Sequence, residues 1–78
     1  MNYKKMYEIL SKPWLDVKDI QSITSCGRDK SSKIRDEIIE IINKNGKKIP
    51  QSRRKIVPTN YVIEYLGLEL DFIKKMAN

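Results

Sequence analysis

Two short amphipathic segments separated by a glycine constrain the fold of this chain more than any other feature. In the first segment, Val17, Ile20 and Ile23 recur at the spacing of a helical face. Asp16 precedes them, and its carboxylate is suited to accept from the unpaired amides that begin a helix. The second segment has apolar residues at i, i+4, i+7 and i+8, namely Ile34, Ile38, Ile41 and Ile42. Gly27 lies between the segments, where a positive φ is easiest without a Cβ. The pattern predicts two helices joined by a tight turn.

The positive charge of the chain is concentrated on the second helix and the segment after it. The net charge is +6 over 78 residues, from 16 basic and 10 acidic side chains. Residues 28–55 hold ten basic and four acidic side chains and therefore carry the whole surplus. A focused basic surface is typical of a nucleic-acid-binding protein. The alternative is a basic surface that only keeps the protein in solution.

The first two turns of the second helix, which we expect from about residue 28 to 43, carry the predicted DNA-binding residues. These are Arg28, Lys30, Ser32, Lys33 and Arg35. At 100° per residue, the inward face is Ile34, Ile38 and Ile41, and the residues pointing most directly outward are Ser32, Asp36 and Ile39. We assign Arg28 and Ser32 to base edges, since arginine can donate two hydrogen bonds to guanine. The other three basic side chains are assigned to phosphates, which Asp36 would repel.

A basic hairpin is predicted between Gly46 and Pro58. Asn45 and Gly46 form a strong helix stop, and short strand-like apolar pieces at Ile49 and at residues 56–57 flank a polar Pro-Gln-Ser-Arg-Arg loop. A basic hairpin that follows a recognition helix is typical of the wing of a winged helix, lying along the sugar-phosphate backbone. The predicted DNA-binding residues of the wing are Lys48, Gln51, Ser52, Arg53, Arg54 and Lys55. The alternative is a solvated basic loop.

The flanking segments predict further helices that complete a single domain. Residues 1–12 form an additional N-terminal helix with an apolar stripe, followed by Trp14 and Leu15 as core residues. Pro58 and Thr59 begin a helix over 58–67 that Gly67 ends, and the tail, residues 68–78, has the spacing of a short helix. With residues 16–43 as the two-helix unit and 47–57 as the wing, the predicted fold is mainly α with a small β-hairpin wing, a winged helix-turn-helix.

Several functional classes are disfavoured by the residues that the chain contains. There is no histidine to activate a serine or Cys26, so we expect no catalysis. One cysteine and no histidine leave few ligands for a transition metal, so we expect no cofactor. Cys26 is interpreted as a small buried residue. The single cysteine, the short apolar runs and the N-terminus without a signal sequence favour a cytoplasmic protein without a membrane segment.

The order of elements resembles the excisionase-like branch of the winged-helix family related to MerR regulators. The residues that carry the resemblance are 15–20 (LDVKDI), 26–34 (CGRDKSSKI), 54–59 (RKIVPT) and 62–67 (VIEYLG). The chain departs from this pattern at Ser31, where a small apolar residue is expected, and in its additional N-terminal helix. The resemblance implies a recombination directionality factor of an integrated mobile element, which binds and bends DNA and assists an integrase without doing chemistry itself.

Two other functions fit the same residues. One is a small transcriptional regulator of a phage or mobile element, which would use the same contacts with double-stranded DNA. The other is a protein-interaction module such as an anti-repressor, whose basic surface would bind an acidic partner. The sequence leaves the oligomeric state open.

Overall fold

The computed structural model describes residues 2–47 and 55–78, which form five helices and one small antiparallel sheet. In chain order the elements are α1 (Tyr3–Leu10), β1 (Trp14–Leu15), α2 (Val17–Thr24), α3 (Arg28–Lys44), β2 (Val57–Pro58), α4 (Thr59–Leu66) and α5 (Leu70–Ala77). The mainly helical fold that the sequence predicts is therefore confirmed, as are the N-terminal helix, the helix after Pro58 and the helical tail. In these two ranges, no helix is both long and apolar enough to cross a membrane.

The start of α2 is fixed by a reciprocal pair of aspartates. The Asp16 carboxylate accepts from the Asp19 amide at 2.9 Å, and the Asp19 carboxylate accepts from the Asp16 amide at 3.1 Å. This capping box satisfies amides that have no partner within the helix. Lys12 Nζ lies 2.7 Å from the other carboxylate oxygen of Asp19 and ties the chain before β1 to this helix.

The turn between α2 and α3 differs from the sequence prediction in the residue that takes positive φ. That residue is Ser25 (φ 57°), which caps the C-terminus of α2, and its amide donates to the Gln21 carbonyl at 2.9 Å. Gly27 has φ −68° and is the extended N-cap of α3, so the prediction of a positive φ there is wrong. Because α2 ends at Thr24, the left-handed position falls two residues earlier than expected. Cys26, predicted to be buried, is half-buried.

The sheet pairs β1, which lies just before α2, with β2, which lies just before α4. Trp14 lies opposite Pro58, and Leu15 lies opposite Val57. Side chains alternate across a strand, so Leu15 is fully buried whereas Trp14 is 37% exposed. The prediction that Trp14 is a core residue is therefore wrong. Val57 lies in a strand as predicted, but its partner here is β1, which the sequence did not predict. Ile49 and the loop of the predicted wing lie outside the described residues.

The core is shared by all the helices and both strands. It consists of Leu10, Leu15, Ile20, Ile23, Ile38, Ile42, Val57, Val62 and Ile73. On α3 the inward face is rotated from the predicted one: Ile41 is 41% exposed, while Ile39 packs against the core. Both assignments were wrong, because α3 contacts α2 on one side and β2 with α4 on another. Ile38 and Ile42 are the buried isoleucines of α3.

Candidate nucleic-acid interface

The N-terminal half of α3 carries three exposed cations of the predicted interface. Arg28, Lys30 and Lys33 are exposed and are therefore accessible to a ligand. Ser32 is half-buried. Gly27 provides no side-chain cap, so the first amides of α3 have no side-chain partner there, and Asp29 supplies the negative charge that suits this end of a helix dipole.

Arg35 is less available than its neighbours. Its side chain is 15% exposed, and its Nε and Nη2 atoms donate to one carboxylate oxygen of Asp36 at 3.2 and 2.9 Å. The Asp36 side chain is 58% exposed, so the pair lies at the surface with the carboxylate outermost. A phosphate would have to compete with Asp36 for this guanidinium. Asp36 was predicted to oppose phosphate contact, and the structure gives a reason, because its carboxylate neutralises the charge of Arg35 directly.

Arg28, Ser32 and Arg35 lie at i, i+4 and i+7 on α3 and together form one wall of an open groove of about 550 Å³. We call this concavity the α2–α3 groove. All three residues were predicted as interface residues on α3, and the structure brings them onto one side of the helix. A second, shallower concavity adjoins the turn before α3 and shares Arg28 with the groove.

The opposite wall of the α2–α3 groove comes from α2 and its cap, with one residue from beyond α3. These residues are Asp16, Val17, Lys18, Gln21 and Lys55. Lys55 was predicted as a wing residue and is exposed here. The residues contributed by α2 were not predicted as part of an interface. Lys18 and Gln21 are three residues apart on a helix whose Ile20 and Ile23 are buried, and this polar spacing was the available signal.

The charge of the α2–α3 groove is positive. Of the eight described residues that line it, four are cationic, from α2, α3 and the segment before β2, and Asp16 is the one acidic residue among these eight. The Asp16 carboxylate also accepts from the Asp19 amide in the cap of α2. Of the remaining predicted wing residues, Lys48, Gln51, Ser52, Arg53 and Arg54 lie outside the described residues. Their positions relative to the groove stay predictions.

On the side of the molecule formed by the C-terminal half of α3 and by α4, two tyrosines contact charged side chains. Tyr65 donates a hydrogen bond to the Glu37 carboxylate, which, with burial and the nearby negative charge, raises the pKa of Tyr65. Lys47 Nζ lies 5.6 Å from the centre of the Tyr61 ring. Packing was the predicted role of both tyrosines: Tyr61 packs against the core, whereas Tyr65 is 38% exposed.

Comparison of the chain with protein-family models, with curated proteins and with solved structures finds no match.

Proposed function

We propose that this chain is a sequence-specific, double-stranded DNA-binding protein with a winged helix-turn-helix organisation. In this proposal α2, the turn at residues 25–27 and α3 are the helix-turn-helix, and α3 is the recognition helix. The segment between α3 and β2 is the wing. The observation that carries the proposal is the gathering of Lys18, Arg28, Arg35 and Lys55 around one groove beside the exposed basic start of α3.

Duplex DNA is the partner that this arrangement fits best. Its phosphates form a regular negative surface, and its major groove is about 12 Å wide and admits an α-helix. The exposed half of α3 carries Arg28, Lys30 and Lys33, whereas Glu37 and Glu40 lie further along. The positive end of α3 would therefore enter the major groove, and its acidic continuation would stay away from the phosphates.

Different side chains have different roles in this proposal. Arg28 reads a base edge, because its guanidinium can donate a bidentate pair to guanine, and Ser32 is a second candidate for base contact. Lys30 and Lys33 bind phosphates, and Arg35 does so after exchanging Asp36 for a phosphate. The proposed wing contacts are Lys48, Gln51, Ser52, Arg53, Arg54 and Lys55.

The biological role we propose first is that of an excisionase, a recombination directionality factor of a mobile element, with an integrase or other recombinase as an additional protein partner. This role is supported by the resemblance in the residues around both helices of the two-helix unit. A small transcriptional regulator would use the same surface. Footprinting on the flanks and the promoter region of the native element discriminates between them, since protection at an attachment site supports excision.

The test of DNA binding is a fluorescence-anisotropy titration of the full chain with random and selected duplexes at several salt concentrations. We expect the logarithm of the association constant to fall linearly with the logarithm of salt, by about 0.9 for each phosphate neutralised. Arg28→Ala should lose about tenfold or more on the selected site and little on random DNA. Absence of binding at low salt would contradict the proposal and favour an acidic protein partner.

A further inference from the structure

We infer that α1 and α5 together form an interface at which a second copy of this chain binds through the same surface. The centre of this surface is an exposed apolar cluster of Tyr3, Phe72 and Met76, which we call the terminal-helix patch. A dimer of this kind goes beyond DNA binding and does not depend on it. It does not follow from the resemblance either, because α1 is the helix that the resembled pattern lacks.

The terminal-helix patch is continuous across two helices that pack against each other. Phe72 and Met76 are four residues apart and therefore neighbours on one face of α5, whereas Ile73 is buried in the core. Tyr3, at the start of α1, meets the Phe72 ring edge to face, with 5.9 Å between the ring centroids. Tyr3, Phe72 and Met76 are 40, 48 and 50% exposed. Single apolar residues at a surface are ordinary, but a contiguous cluster marks an interaction surface.

The charges of α5 favour a second copy of the same helix as the partner. The N-cap and first turn hold Glu69 and Asp71, and the last turn holds Lys74 and Lys75, all of them exposed. Two copies that meet antiparallel across a two-fold axis place the acidic end of each α5 beside the basic end of the other. A two-fold contact requires such a self-complementary surface, because the same patch is used on both subunits. A parallel arrangement would instead bring like charges together at both ends.

Opposite charges also lie at equal distances along the chain from the centre of the patch. Glu69 is three residues before Phe72 and Lys75 is three residues after it. Residues three apart on a helix are neighbours on its surface, so both charges border the apolar cluster. An apolar centre with a charged rim is the usual composition of a protein–protein interface.

The size of the interface predicts that the dimer is weak. α1 and α5 have eight residues each, so each is about 12 Å long at 1.5 Å per residue. A face of this length is at the small end of specific interfaces, and we therefore expect the dimer to dissociate on dilution. The patch is on different elements from the proposed recognition helix, since α5 packs against α1 whereas α3 packs against α2, β2 and α4. Each copy in the dimer thus keeps its own α3.

Sedimentation equilibrium of the full chain without DNA, over a range of concentrations, tests the dimer. We expect the mean mass to rise from that of one chain towards that of two. Phe72→Gln and Met76→Arg should each weaken association about tenfold or more, because every contact occurs twice across the two-fold axis. Leu70→Gln is the matched control and should leave association unchanged. Leu70 is also on α5 and is 38% exposed, but it lies about 200° around the helix from Phe72.

Charge reversals test the antiparallel arrangement. Glu69→Lys and Lys75→Glu each place like charges opposite one another in a dimer, so each variant alone should associate about tenfold more weakly. A mixture of the two variants brings a basic α5 against an acidic one and should restore association to the wild-type level or above it. Circular dichroism and thermal unfolding of every variant establish that the fold is retained.

Three results would overturn the inference. The first is the mass of a single chain for the folded wild-type protein at every concentration up to about 1 mM. The second is a dimer that Phe72→Gln and Met76→Arg leave unchanged, since its contact would then lie elsewhere. The third is a mixture of the charge variants that associates no better than each variant alone. DNA is absent from these measurements, so their failure would leave the DNA-binding proposal to its own titration.

Discussion

Ser31 is the residue at which the chain departs from the small apolar residue that the resemblance implies, and the structure buries this position completely. It lies on α3, fully buried, and its hydroxyl is the buried side-chain polar atom that lacks a hydrogen-bond partner within residues 2–47 and 55–78. The position was expected to hold a small apolar residue. Its complete burial agrees with the expected size and apolar surroundings, while the hydroxyl adds a desolvation cost that an alanine would avoid.

We therefore expect Ser31→Ala to raise the free energy of unfolding by about 1 kcal/mol, because an unpaired buried hydroxyl is removed with little loss of volume. Urea unfolding followed by circular dichroism measures the change. The matched control is Ser32→Ala, one residue along the same helix and half-buried, which should change stability by less than about 0.5 kcal/mol. Equal effects of the two substitutions would show that helix propensity, and not the buried hydroxyl, determines the result.

The hydrogen bond from Tyr65 to Glu37 should make the free energy of unfolding depend on pH in the alkaline range. Because the pKa of Tyr65 is raised in the folded state, the unfolded chain loses this proton first. The stabilisation that this hydrogen bond provides is complete below the ordinary tyrosine pKa of about 10. It is lost as the pH rises through the pKa of Tyr65 in the folded protein. Unfolding experiments from pH 8 upward should show wild-type stability falling towards that of Tyr65→Phe above about pH 10. A constant difference across this range would exclude the linkage.

At the scale of elements, the local signals predicted the helices better than their relative orientation. Asp16 was predicted to cap α2 and does so through Asp19, because capping depends on residues three positions apart. Gly67 ends α4 with φ 67°, again from a local signal. The face of α3 was predicted only in part: Ile38 and Ile42 are buried as predicted, whereas Ile41 is exposed and Ile39 packs against the core. These four isoleucines are compatible with more than one inward face. Contacts with β2 and α4, distant in sequence, choose between them.

Alanine substitutions at two glycines test whether backbone conformation determines where the helices begin and end. Gly67→Ala should lower the free energy of unfolding by about 1 kcal/mol, because an L-residue at positive φ is strained even where its Cβ has space. Gly27→Ala should cost clearly less, since its φ of −68° suits any residue and nothing lies within 4 Å of the added Cβ. Comparable losses at both positions would show that positive φ is not what makes alanine costly at position 67.

At the scale of the whole molecule, the sequence predicted that one part of the protein is basic but not that α2 contributes residues to it. The charge of residues 28–55 was visible as a composition bias, and Arg28, Ser32 and Arg35 were predicted from the helical spacing of α3. Lys18 and Gln21 were missed because they line the α2–α3 groove only through the packing of α2 against α3. Likewise, the pairing of Leu15 with Val57 joins positions more than 40 residues apart in sequence, and no local pattern specifies it.

The central claim is that the surface of α2 and of the first half of α3 binds duplex DNA. The most direct measurement is a titration of isotopically labelled protein with a duplex at low salt, followed by amide chemical shifts in NMR spectra. We predict that the largest shifts occur at Lys18, Gln21, Arg28 and Ser32, with little change at Lys74 and Lys75 on α5. Shifts concentrated on α1 and α5, or no shifts at any DNA concentration, would contradict the account.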